Sequence, residues 1–519
     1  MKNSYLIFFI TLFSFTSVAQ NFSKTVTVSA GIPVKIKSGT LISASEITLK
    51  STSDRFSSLF LEEALPGAVI VNYDRHVNLR GGNDLISMPV KSTTAVVYSD
   101  FLNDTNGIVS NRDVLPQNPS KPSTYRFGPY SNVSQKYLNY DEVDDGAKEL
   151  KRGVGYRAAA NNAEQTLRFT GSVSTVTETV NITTAGRNRW NLVGNPYPTY
   201  LNSQAFLDEN IDQLDDNAAA IYGYNSGTRE GEGTIGNFTI INRLTYTDQK
   251  IAPGQGFLVA NKLSTPSSQI SFTSAMRVFS GQDDFILNRN ENQNKMLRLK
   301  AAHKTANFAT EIYFNANSTL GLDPGYDAAL FDGADTDFMI YSQLVKDNSG
   351  RNMAIQSLGF SDMDAVIIPL GIKTIQGARV TFSIESSNLP KGIEVYLEDK
   401  QANILTLLNT GDYAFTAKTA ISGTGRFFLR MENRALSISD KENKSLQIFA
   451  GEQTLFINGQ LLADTKVSVY DIQGRLVLTS SLKEGSDRNK INTTTLNTGV
   501  YVVRLVNEAQ FQTKKVVIR

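Results

Sequence analysis

Apolar and polar residues alternate in short runs along most of this chain, as in Leu167, Phe169, Gly171 and Val173, or Val380, Phe382 and Ile384. A period of two puts successive side chains on opposite faces of an extended backbone, so each run predicts a half-buried β-strand. Clusters of Gly, Asn, Asp, Ser and Pro, such as 225–236 and 322–337, separate the runs and supply turns. Helical spacing is convincing only over 203–216, where Ser203 is placed to cap and Phe206, Leu207, Ile211 and Leu214 share a face. The pattern predicts an all-β, multi-domain chain of antiparallel β-sandwich or jelly-roll-like units.

The first residues carry one cation, Lys2, then an apolar run over 6–18 and a small-x-small site at Ser17 and Ala19. This is the layout of a secretory signal peptide, with cleavage expected between Ala19 and Gln20. The run is shorter than the ~20 residues a membrane-spanning helix needs, and no later segment approaches that length, so no transmembrane span is expected in the mature chain. The chain has 51 Lys and Arg against 50 Asp and Glu, and cleavage removes only Lys2, leaving the charges balanced. A nucleic-acid partner would call for clustered positive charge. With no Cys, an exported chain of this kind relies on core burial rather than disulfides.

The expected organisation is a signal peptide at 1–19, a β-rich N-terminal region at 20–290 in one or two units, a β-sandwich domain at 296–432, a polar linker at 433–445 and a last unit at 446–519. The polar run 288–295 separates the first two blocks. Strand candidates in the second include 309–314, 365–370, 393–397 and 426–431. Residues 84–89 and 190–196 share an apolar strand that stops at a proline. They are either a duplication or two unrelated strand ends.

In the last unit, 466–470 alternates, Asp471-Ile472-Gln473-Gly474 turns, and 475–479 returns. Gly474 supplies the positive φ that a tight hairpin requires. Leu496-Asn497-Thr498-Gly499 leads into Val500-Tyr501-Val502-Val503-Arg504-Leu505, and the chain ends Lys514-Lys515-Val516-Val517-Ile518-Arg519. A small seven-strand sandwich is the natural fold. The Val467-to-Arg475 hairpin, the Thr498-Gly499-Val500-Tyr501 strand entry and the basic terminal strand together resemble the type A C-terminal sorting domain of proteins exported by the type IX secretion system. The resemblance covers about the last 75 residues. It implies a Gram-negative cell, export across both membranes through the type IX machinery, and removal of this unit on release or surface attachment. It marks Tyr470, Asp471, Gly474, Arg475, Gly499, Tyr501, Lys514 and Lys515 as sorting-signal residues. The unit holds nine bases and six acids, against 41 bases and 44 acids over 20–445. A slightly basic rim suits a receptor that grips by strand edges and charge. Segments 47–53, 190–198 and 322–327 are similar to stretches common in large surface proteins that carry this sorting domain; no activity follows from that likeness.

Candidate chemistry is sparse. The two histidines, His76 and His303, lie in different predicted domains, which makes a His-based triad or multi-His metal site hard to build. Neither a His-Glu-x-x-His helix nor a Gly-x-Ser-x-Gly elbow occurs. Gly231, Gly233 and Gly236 fit a Gly-x-Gly-x-x-Gly string, but 238–241 reads as a strand rather than the helix a phosphate site needs, and Glu230 and Glu232 would repel phosphate. The acids Asp323, Asp327, Asp332, Asp335 and Asp337 are the one calcium candidate, although aspartates beside Gly and Pro also close Asx turns. No other cofactor or metal ligand set is expected. The single tryptophan, Trp190, reads as core. No catalytic residue is assigned. The expected role is adhesion or binding of a surface glycan or protein at the cell surface, the alternative being a secreted glycan- or peptide-cleaving hydrolase that uses a carboxylate pair.

Overall fold

The computed structural model describes residues 24–518 except 68, 80–83, 92–95, 164, 225–237, 246–248, 282–293, 305, 332–336, 434–446, 452, 460, 462, 486–487 and 508–510. The expected signal peptide with Lys2, Ala19 and Gln20, the glycines Gly231, Gly233 and Gly236, and nearly all of the expected 433–445 linker lie outside the described residues. The chain divides into two compact units. The larger takes in residues up to Asp362 with Ile367–Leu389 and Leu397–Leu429. The smaller takes in Met363–Val366, Pro390–Tyr396 and Arg430–Arg519.

The larger unit begins with a parallel stack. Strands β1 (Thr25–Val28), β3 (Glu46–Lys50) and β5 (Ile70–His76) run in register, with Thr25 beside Glu46 and Glu46 beside Ile70, while β2 (Pro33–Ile36) lies parallel to β4 (Ser58–Leu61). Leu49, Leu59, Leu61, Val71 and Tyr73, drawn from both sheets, are buried in one hydrophobic cluster. Alternation reveals such strands but not their neighbours, and most remaining ladders are antiparallel, as when Thr166–Gly171 pairs with β5.

Trp190–Gly194 pairs antiparallel with Gly256–Ala260, which in turn neighbours Ile221–Tyr224. The expected helix forms over Ser203–Asn210 and continues as one 3₁₀ turn, Ile211–Gln213. Its cap is Asn202, whose side chain accepts the Ala205 N–H at 3.0 Å, while the Ser203 hydroxyl donates to the Gln249 carbonyl. Phe206, Leu207 and Leu214 are buried, as the spacing requires. The short helices Tyr98–Asn103, Asn111–Val114 and Glu142–Asp145 span too few residues to show a period.

An 11-stranded mixed sheet follows. Lys295–His303 and Ala306–Asn315 form an antiparallel hairpin, and Met353–Gly359 runs parallel to the second of these. The four strand candidates named above fall within Ala306–Asn315, Ala365–Thr374, Ile393–Asp399 and Ile421–Asn433. Residues on both sides of position 290 share one core: Trp190, Tyr222 and Leu258 pack with Tyr313, Ala328, Met353 and Ile355. Trp190 is only 3% exposed and stands edge-on to Tyr222 and Phe331, with ring centres 4.6 and 5.0 Å away. It is core, as expected.

Seven strands of the smaller unit form a sandwich. One sheet holds Gln447–Gly451, Thr454–Asn458 and Arg488–Asn492; the other holds, in spatial order, Leu476–Leu482, Thr465–Tyr470, Gly499–Val506 and Phe511–Ile518. Ile448, Leu455 and Ile457 from the first sheet pack against Val467, Val469, Val503 and Leu505 from the second. The all-β, multi-domain expectation and the seven-strand terminal sandwich both hold.

Candidate functional site

The hairpin between Thr465–Tyr470 and Leu476–Leu482 turns on one aspartate. The Asp471 N–H donates to the Arg475 carbonyl, and the Gly474 N–H to the Asp471 carbonyl, both at 3.0 Å. Asp471 Oδ1 accepts the N–H groups of Gln473 and Arg475, and Oδ2 accepts from Arg475 Nε at 2.8 Å. These bonds, led by the one from the Arg475 backbone, hold the Asp471 carboxyl below the usual carboxylate range. Gly474 has φ +80°, a backbone region that other residues enter only with strain. Asp471, Gly474 and Arg475 therefore build the turn, and the side chain it projects is Ile472, 79% exposed.

The ladder slips by one residue after Val469, so that Tyr470 faces Leu476 on the neighbouring strand. Tyr470 also faces Val502, and Val502 faces Lys515, which makes a cross-strand row Leu476, Tyr470, Val502, Lys515. The buried partners Val469 and Val503 have the opposite parity, so this row lies on the outer face. Tyr501 points inward, and its hydroxyl donates to the Asn497 carbonyl at 2.8 Å. Gly499 begins that strand opposite Ile518. Lys514 and Lys515 are both exposed on the edge strand, with opposite parity. Of the expected sorting residues, Tyr470 and Lys515 thus share the outer row; Tyr501 belongs to the core, and Asp471, Gly474 and Arg475 to the turn. Sequence reading missed Leu476, Val502 and Ile472. The available hint was that Val500 to Val503 is apolar at both parities, more than one buried face requires.

The acidic loop splits up. Asp327 is fully buried: Oδ2 accepts the Asp323 N–H and Oδ1 the Ser357 N–H, each at 2.7 Å. Burial outweighs those bonds and raises its pKa to about 7. Asp323 accepts the Thr319 N–H at 2.6 Å, and Asp337 is exposed. Gly325, at φ +82°, completes the turn between Asp323 and Asp327. Asp332 and Asp335 lie outside the described residues. Among the described residues no group of three or more His, Asp or Glu side chains is arranged to hold a metal.

His76 ends β5 and is buried, while His303 ends a strand of the 11-stranded sheet, its Nδ1 lying 3.0 Å from the Arg379 carbonyl. Other buried carboxylates hold the fold: Asp74 pairs with Arg168 and Lys50, Asp215 with Arg189, Glu311 with Arg298, and Asp399 with Arg426 and the Tyr413 hydroxyl.

The larger unit is β-rich, and the small sandwich that follows it carries an aspartate-locked hairpin and a basic edge strand; the family this sandwich matches places the chain in the class of exported proteins with a C-terminal sorting unit. Residues 451–519 match the secretion system C-terminal sorting domain. A type IX sorting domain of this kind implies export to the cell surface or beyond and engagement of the type IX machinery. The chain belongs to the family described as a domain of unknown function, DUF8693, whose model matches residues 15–431. None of the curated proteins matches the chain. Among solved structures it is similar to a biofilm-associated protein, BSP domain, at 9% identity and a TM-score of 0.12, covering 86% of this chain and 97% of that one. A likeness that loose carries no functional argument. No helix among the described residues is long and apolar enough to cross a membrane.

Proposed function

We propose that this chain is a surface-displayed or extracellular binding protein, whose larger unit adheres to a glycan or protein ligand after the C-terminal sandwich has directed it across the outer membrane. The observation that carries the export half is the sorting domain at 451–519 with its locked Asp471-to-Arg475 turn. The binding half is supported by the use of acids in the larger unit. Asp74, Asp215, Glu311 and Asp399 are each tied to a cation, and Asp327 to two backbone N–H groups, so these groups serve the scaffold rather than a cleaving pair. A rigid β scaffold with loops at its ends is a common way to present a ligand surface. The test is to apply the purified mature chain to arrays of glycans and matrix proteins and to analyse the bound targets by mass spectrometry. Saturable binding with targets intact is expected. Time-dependent cleavage of a target would instead establish the hydrolase.

A further inference from the structure

The seven strands of the terminal sandwich contain six cations, Lys466, Arg488, Lys490, Arg504, Lys514 and Lys515, and no carboxylate. The six acids of 446–519 all fall outside those strand ranges. Keeping edge strands from aggregating explains cations at an edge, but glutamate serves there too, and Lys466 and Arg504 sit on the two inner strands of the four-stranded sheet. The outer face of that sheet combines this charge with exposed apolar groups. Leu476 is 55% and Val517 51% exposed, and the row Leu476, Tyr470, Val502 crosses three strands. Lys515 closes the row opposite Val502, and Lys466 and Arg504, which have the same parity as Tyr470 and Val502, are exposed along one side of it. An apolar row with cations at its end and along one side, on strands that carry no carboxylate, is the complement of a partner whose apolar patch is flanked by carboxylates.

We infer that the outer face of the four-stranded sheet, centred on Tyr470 and Val502, docks an acidic protein surface of the export machinery. The inference rests on the sorting role proposed above and adds to it the face used and the chemistry of its partner. A flat sheet face with a central aromatic suits a protein partner. An anionic membrane is the competing source of negative charge.

The test uses the full chain expressed in its own cells. In Lys466→Glu/Lys515→Glu the surface-delivered fraction should fall about tenfold, the scale on which steering charges act. The control Arg488→Glu/Lys490→Glu, on the other sheet, should be delivered as wild type. Equal loss in both would make the effect one of net charge and overturn the proposal. The milder Lys466→Ser/Lys515→Ser, with the unfolding midpoint of the purified chain confirmed as unchanged, guards against a folding defect and should still lower delivery. A photo-crosslinker at position 502 should capture a protein through an Asp- or Glu-rich peptide; absence of a protein adduct counts against the face. Purified chain should leave vesicles of equimolar phosphatidylethanolamine and phosphatidylglycerol unbound, and binding that the double Glu variant loses would transfer the face to the membrane. If deletion of 446–519 blocks delivery while every face variant exports normally, sorting stands and this docking face falls. Should the deletion itself export normally, the sorting role fails first.

Discussion

Arg189 and Asp215 meet inside the larger unit, with Arg189 Nη1 donating to Asp215 Oδ1 at 2.9 Å and both side chains almost fully buried. Asp215 Oδ1 also accepts the Asn217 N–H, and the guanidinium lies 5.6 Å from the Trp190 ring centre. Removing one member strands the other charge in the interior. Arg189→Ala or Asp215→Ala should each cost about 3–5 kcal/mol, whereas Arg189→Met/Asp215→Leu should lose much less. Urea denaturation of the three variants measures this.

The core around Trp190 ties strands before position 290 to strands after it. Trp190→Ala should cost about 3–5 kcal/mol and Met353→Ala about 2–5. Because the two side chains belong to one cluster, both variants should lower the same calorimetric transition. Two transitions shifting separately would show that the two regions unfold independently.

What was legible in the residues follows from what each signal encodes. Period-two runs such as Val380, Phe382 and Ile384 report burial on one face of a strand, and these lie in Arg379–Ser387 with Val380 and Phe382 buried. The same signal is silent about the neighbouring strand, so the parallel pairing of Thr25 with Glu46 was out of reach. Asp471 and Gly474 were readable because a tight turn is encoded within four residues. Leu476 beside Tyr470 was not, since a one-residue bulge sets that register. Asp327 looked like a candidate ligand, and only the fold shows it bonded to Ser357, a residue thirty positions later.

His76 makes stability depend on pH. Burial first, and then the Arg75 charge, lowers its pKa from 6.5 to about 4. Between those values the unfolded chain binds a proton that the folded chain refuses, so this contribution is complete above pH 6.5 and is lost as pH falls toward 4, about 3 kcal/mol in all. Asp327, raised from 3.8 to about 7, has the opposite sign: the folded chain holds the proton, and stability is lost as pH rises through that window. His76→Gln should therefore steepen the loss of stability with rising pH between 4 and 6.5, and Asp327→Asn should flatten it. Thermal unfolding of both variants across that range checks each sign.

Gly474 has φ +80° and open space where a Cβ would stand, so Gly474→Ala meets backbone strain and no clash. The expected cost is about 1–2 kcal/mol, confined to the terminal sandwich. Hydrogen exchange should show faster opening of Thr465–Tyr470 and Leu476–Leu482, with the Trp190 core unchanged. Protection left intact in the hairpin would mean that the turn tolerates an alanine.

The central claim is that the C-terminal sandwich is the export address of this chain. The direct measurement is protease accessibility on intact cells, together with quantification in the medium, for the full chain and for a chain lacking 446–519. The full chain should be reached by protease or recovered outside, and the shortened chain should stay shielded within the envelope. Equal exposure of the two chains would contradict the claim.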